Sequence, residues 1–172
     1  MLAEDQYLDA LAAELGSLNR RLYLLGVREV DLPDALAETI RALLASRAGF
    51  TGETSFSVFC FGVAARVVAR RKGRRERATP IAGDAETAAR AARPPTSDDE
   101  TIDLALDRVP YRSRVVLVAV EMQQMSLPDL AHVLGLPATA VPILEARLEG
   151  ARVVFASALR ELEGVGSPSD DG

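Results

Sequence analysis

The chain reads as a succession of amphipathic helices. Leu8, Leu11, Leu15, Leu18, Leu22 and Leu25 recur at alternating spacings of three and four, which sets one apolar stripe on a helix ending near Gly26. Asp31-Leu32-Pro33 supplies an acidic cap candidate and a first-turn proline for a second helix, whose Leu36, Ile40, Leu43 and Leu44 share a face. Gly49 and Gly52 bracket a short turn around Phe50. A third helix is predicted from about Glu53 to Arg71. Its stretch FSVFCFGVAARVVA is apolar on nearly all sides, the pattern of the central helix of a bundle. The β-branched and aromatic residues there also suit a strand, but Ala64-Ala65-Arg66 and the length of the run favour helix.

Residues 79–99 change character. They are small and polar, with Pro80, Pro94 and Pro95, and read as a flexible linker holding at most a weak helical patch at 84–92. A second helical block starts near Glu100, with Ile102, Leu104 and Leu106 in a short helix. Pro110 opens the next segment, YRSRVVLVAVEMQQM, where a single VVLVAV run without a pairing partner reads as helix. Ser126-Leu127-Pro128-Asp129 is a cap followed by proline and an acid in the first turn. Leu127, Leu130, Ala131 and Leu134 then recur at helical spacing up to Gly135. A turn over 136–139 leads to a last helix ending near Glu163. The expected fold is all-α: two small helical domains (1–78 and 100–164) joined by the linker 79–99, with 165–172 as a disordered tail. Helix, glycine turn, helix is the outline of a helix-turn-helix, and the second domain is expected to be of that winged-helix-like kind.

Charge changes the picture. The formal net charge of −5 argues against nucleic-acid binding until its distribution is considered. Residues 66–77 (RVVARRKGRRER) hold seven cations and one acid, a net of +6, so the remainder carries −11. One strongly basic strip on an acidic body points to a localised polyanion contact, although a solvated basic helix end has the same composition. The single cysteine, Cys60, sits in an apolar run and excludes an intrachain disulfide. With His132 the one histidine, a Cys/His zinc site is excluded too, and no metal or other cofactor is expected. There is no glycine-rich phosphate loop and no Ser/His/Asp arrangement, so an enzyme is not expected. The opening MLAEDQYLDALAAEL lacks the basic start and apolar centre of a signal peptide. No apolar run approaches the ~20 residues that span a bilayer, and the expectation is a cytoplasmic protein without membrane insertion.

Two stretches carry a family resemblance. FTGETSFSVFCFGVAARVVARRKGRRER (50–77) resembles the second conserved region of bacterial sigma factors of the extracytoplasmic-function group. There a Phe-x-Gly-(Glu)-(Ser/Thr)-Ser-Phe turn leads into an aromatic-rich helix with an Ala-Arg pair and a basic end. LDRVPYRSRVVLVAVEMQQMSLPDLAHVLGLP is similar to the fourth region of that family, and the two occur in the family's order with a linker between. LGVREVDLPDALAETIRALL looks like the helix that docks on the polymerase clamp.

The resemblance implies a factor that directs the RNA polymerase core to promoter DNA and assists initiation, with an anti-sigma factor as a further partner. It places Phe50, Thr54, Ser55 and Phe56 near a pocket for an unstacked base of the −10 element, with Arg66, Arg70, Arg71, Lys72, Arg74 and Arg75 on phosphates. Plain core packing weighs as heavily for Phe56. The implied polymerase contact is Asp34, Ala37, Glu38 and Ile40, with Ala37 where the family carries Gln and Ile40 where it carries Phe. In the last helix Arg147 and Arg152 match the family's Arg-Leu-x-x-Ala-Arg, yet residues 138–160 net only +1, and 98 to the end hold thirteen acids against six arginines. Phosphate contacts dominate affinity for DNA. An acidic second half therefore keeps open an alternative, a degenerate sigma-like regulator that binds polymerase or an anti-sigma partner without −35 recognition.

Overall fold

The structure is a computed structural model that describes residues 3–78 and 97–165. The helical patch expected at 84–92, most of the linker and the tail beyond 165 lie outside the described residues. Helix α1 (Glu4–Leu24) has acids in its first turn and Arg21 in its last, matching the helix dipole. It stops where Gly26 takes a φ of 90°, a left-handed conformation that favours glycine. Helix α2 (Leu32–Ala45) follows a short 3-10 turn, with Pro33 in its first turn. The cap expected from Asp31 does not form. Its carboxylate instead accepts from Arg28 Nε at 2.9 Å and lies 3.4 Å from Arg75 Nη2.

Helix α3 (Phe56–Ala78) runs through the centre of the first half. Cys60, Phe61, Val63, Ala64, Ala65, Val67 and Val68 are all buried, which is why the run is apolar on nearly every side. Burial pushes the Cys60 thiol up to about 12. The Tyr7 hydroxyl donates to the Leu43 carbonyl at 2.7 Å and so ties the start of α1 to the end of α2.

In the second half, α4 (Asp98–Asp107) starts earlier than expected, because Ser97 caps it by accepting from the Glu100 N–H at 3.2 Å. Helix α5 (Tyr111–Leu117) continues into a π-helical turn over Val118–Met122, so VVLVAV is helical throughout. Helix α6 (Leu127–Val133) is capped by Ser126, whose Oγ accepts from the Asp129 N–H. A short 3-10 turn then leads to α7 (Val141–Val165). Among the described residues there is no strand, and the fold is all-α.

The two halves share one core. Leu22, Leu25 and Phe61 of the first half belong to the same buried cluster as Val116, Leu130 and Leu144 of the second. Leu104 and Ala105 form a smaller cluster with Ala158 and Leu162, which joins α4 to α7. A polar seam fixes the register between the halves. Buried Arg114 donates through Nε to the Leu24 carbonyl at 2.6 Å and through Nη1 to Asp107 Oδ1 at 2.7 Å. The carbonyls in the last turn of a helix have no partner within it, and Arg114 supplies one for α1. The bare backbone of Gly26 lies against this guanidinium, and a Cβ there would stand 3.1 Å from Nη1. Buried Arg21 bonds Glu14 Oε2 at 2.8 Å, the Ser57 carbonyl at 3.2 Å and, across the seam, Gln123 Oε1 at 2.8 Å. The Tyr111 hydroxyl donates to the Ala65 carbonyl at 2.6 Å, and burial raises its pKa.

Candidate nucleic-acid interface

Several of the residues singled out in the sequence line two concavities at opposite ends of α3. The first is a cleft of about 400 Å³ at the N-terminal end, whose lining includes Phe50, Thr54, Phe59 and Arg66 together with His132 and Val133 of α6. Phe50 is nearly buried, and its ring stands edge-on to Phe56 at 5.3 Å and tilted against Phe59 at 5.3 Å. Phe56 also packs edge-on to Tyr7 at 5.0 Å, so this ring serves the core. Ser55 turns its Oγ to the Val58 N–H at 3.2 Å and caps α3. Of the four residues expected around an unstacked base, Phe50 and Thr54 therefore line the cleft, while Ser55 and Phe56 build the helix start beneath it.

Arg66 crosses the cleft and donates through Nη1 to the carbonyl of Val133, the last residue of α6. A guanidinium on a helix C-terminus meets both the orphan carbonyls and the negative end of the dipole. Burial, with the Arg70 charge beside it, pulls its pKa down. Glu53 and His132 face each other over the same gap at 3.6 Å. One turn before Arg66, Gly62 packs so closely on Val133 that a Cβ would lie 2.7 Å from the Val133 carbonyl oxygen. The cleft is thus a feature of both halves, which sequence reading confined to the first.

The second concavity, of about 290 Å³, lies at the C-terminal end of α3, where Arg71, Lys72, Arg74 and Arg75 face Arg28 from the α1–α2 turn. Arg71 and Arg74 both bond Glu38, at 3.1 and 3.0 Å, and Lys72 stands 5.1 Å from the centre of the Tyr111 ring. Burial alone would raise the Glu38 carboxyl, but the two arginines hold it below the usual carboxylate range. Arg70 lines neither concavity and is exposed. The participation of Arg28 went unread, because a lone cation in a turn carries no sequence signal until the fold brings it to α3.

The residues expected to meet polymerase divide similarly. Asp34 and Ala37 are exposed on the outer side of α2, while Ile40 packs partly into the core and Glu38 is held by α3. Val30, 73% exposed, and half-exposed Leu44 extend that outer surface with apolar groups. On α7, Arg147 is half-buried and Arg152 is engaged by Glu121 at 2.5 Å and by Glu149. One exposed stripe of α7 carries apolar groups, with Ile143 61% and Val153 68% exposed, beside exposed Glu145, Glu149 and Arg160.

No family model matches the sequence, and no curated protein does. Among solved structures, the chain is similar to the sigma factor RpoE of Bartonella quintana, whose structure was determined in complex with the anti-sigma factor NepR. The match covers 96% of this chain and 100% of that one, with a TM-score of 0.69 at 17% identity. At that identity the likeness speaks for the fold alone: the chain shares the all-α fold of that sigma factor.

Proposed function

We propose that this protein is a sigma-type transcription factor that binds the RNA polymerase core and engages promoter DNA through its first half. The observation that carries the reading is the sigma-factor fold over nearly the whole chain. Residues marked by resemblance for base capture, Phe50 and Thr54, also share one cleft. Aromatic and small polar groups beside a recess are what an unstacked base requires for stacking and hydrogen bonding. The basic end of α3 supplies backbone affinity, and the outer side of α2, with Val30, Asp34, Ala37 and Leu44, is the surface offered to polymerase. The cytoplasm is the place of work that follows, and no described helix is long and apolar enough to cross a membrane.

A second reading is favoured by α7. A helix that reads the −35 element needs exposed cations, and here Arg152 is bound by two glutamates, while a neighbouring stripe of α7 exposes Ile143 and Val153. That surface suits a protein partner, an anti-sigma factor or polymerase itself, better than a phosphate backbone. Footprinting of the polymerase complex separates the two. Protection at both −10 and −35 elements is expected of a full promoter-reading factor; protection at −10 alone, or none, leaves the regulator without −35 recognition.

A further inference from the structure

Helix α7 carries two seams. Along one side Leu144, Leu148, Ala151, Ala158 and Leu162 are buried in the core. Along another, Ile143, Ala146, Gly150, Val153 and Ser157 recur at spacings of three, four, three and four, and Gly164 continues the line. All of these but half-buried Ser157 are exposed. A helix with two seams of apolar and small residues is built for two neighbours, and the chain itself supplies one. We propose that the other neighbour is α7 of a second copy of this chain, packed antiparallel in a two-fold dimer.

Self-complementarity singles out that occupant. With the two-fold axis between Val153 and Val154, Ile143 stands opposite Gly164 of the second copy, Gly150 opposite Ser157, and Val153 opposite Val154. The large Ile143 thus meets a glycine. A parallel pair would set Gly150 against Gly150 and leave a void in the seam. Gly150 has nothing within 4 Å of an added Cβ, so no contact inside the chain requires it, although glycine weakens a helix interior. Close approach of a second helix gives it a use, because small side chains let helix axes come within about 8 Å.

The charges follow the same register. On one flank of the stripe Arg160 lies two residues from the position opposite Glu149; on the other flank Glu161 lies one residue from the position opposite Arg147. Such offsets are ~1.5–3 Å along the axis, inside the reach of these side chains. The two-fold axis repeats each pair. Among the described residues Arg147 meets no carboxylate, and Arg160 bonds the Ala156 carbonyl of its own helix at 3.2 Å. Glu149 and Glu161 each turn one oxygen to an arginine within the chain, Arg152 and Arg108, and a carboxylate has a second oxygen to offer. A foreign partner would need its own matching pattern, whereas a second copy carries it by construction. The inference rests on α7 alone and not on the transcription reading above. A contact along one helix pair falls at the lower end of specific interfaces, below about 1,200 Å², so the dimer is expected to dissociate on the order of 10 μM.

Sedimentation velocity of the full chain at low salt, from about 1 to 200 μM, tests the dimer. The average mass is expected to rise from the 18.4 kDa of one chain towards twice that value. Val153→Glu sets a carboxylate beside the axis and is expected to weaken association roughly tenfold or more. Its melt is expected to be unchanged, because Val153 is exposed in the single chain. Arg160→Glu and Glu149→Arg each make one flank repel its mate, and each alone is expected to weaken association roughly tenfold. Mixed in equal amounts, the two variants are expected to associate like wild type, since one then presents two carboxylates on that flank and the other two guanidinium groups. Recovery on mixing is a result that misfolding cannot give. A chain that stays monomeric over the whole range overturns the proposal. So does a Val153→Glu or Arg160→Glu variant that dimerises like wild type, or a pair of single variants that stays monomeric when mixed. If the chain is monomeric and Val153→Glu loses capture by polymerase core, the stripe belongs to that partner and not to a second copy.

Discussion

Gly62→Ala and Gly150→Ala are the same chemical change in the interior of a helix, and the structure assigns them opposite signs. In an open helix the exchange stabilises by about 0.5–1 kcal/mol, because glycine loses more backbone freedom on folding. Gly150 in α7 has nothing within 4 Å of an added Cβ, so it keeps that whole gain. Gly62 in α3 does not. Its added Cβ would stand 2.7 Å from both the carbonyl oxygen and the Cβ of Val133, where ordinary contact begins at 3.4 Å. Backbone cannot rotate away as a side chain can, so α6 must retreat and loosen the buried contacts around it. Overpacking of this kind costs about 1–3 kcal/mol. Set against the helical gain, Gly62→Ala is expected to destabilise by about 1–2 kcal/mol, lowering the melting temperature by roughly 2–8 °C in a chain of this length, while Gly150→Ala raises it. Thermal melts by circular dichroism and urea titration measure both. A Gly62→Ala protein stabilised as much as Gly150→Ala would refute the close packing of the two halves.

Three further outcomes follow from named contacts. Arg114→Ala takes away the side-chain donor of the Leu24 carbonyl and the buried cation that faces Asp107, and is expected to cost about 3 kcal/mol in urea unfolding; a loss below about 1 kcal/mol contradicts the polar seam. Asp31 and Glu38 have pKa values below those of the unfolded chain, so their stabilisation is present above the unfolded values, near pH 4. It is lost as pH falls through the lower folded values, and melts of Asp31→Asn with Glu38→Gln should lose less on acidification than wild type; equal losses contradict the arginine–carboxylate scaffold. Arg70→Glu should weaken single-stranded DNA binding at least tenfold with an unchanged melt, whereas Arg71→Glu should also lower the melt by placing a carboxylate against Glu38. Unaltered DNA affinity in Arg70→Glu counts against the basic strip.

Helix positions were legible because each is written locally. The Leu8-to-Leu25 spacing located α1, Ser126 with Pro128 located α6, and the all-round apolar run identified α3 as the central helix. The width of each buried face was not legible. Leu8 and Leu15 lie at the edge of their stripe and stay substantially exposed, while Arg21, on the flank of the same helix, is buried against Ser57 and Gln123. A buried arginine depends on partners 36 and 102 residues away, which periodicity cannot supply. The same holds for Arg66. Its place in an Ala-Arg pair suggested a phosphate contact, and only the fold brings the end of α6 within its reach. Asp31 reads as a cap from its position before Pro33, yet two arginines claim its carboxylate more strongly than an amide does.

Reconstitution with purified RNA polymerase core tests the central claim most directly. The protein is mixed with core and a promoter-fragment library, the complex is isolated by gel filtration, and run-off transcripts are mapped. The account predicts a stable complex and transcripts starting at a fixed distance below a shared upstream motif. A protein that neither binds core nor starts any transcript contradicts it.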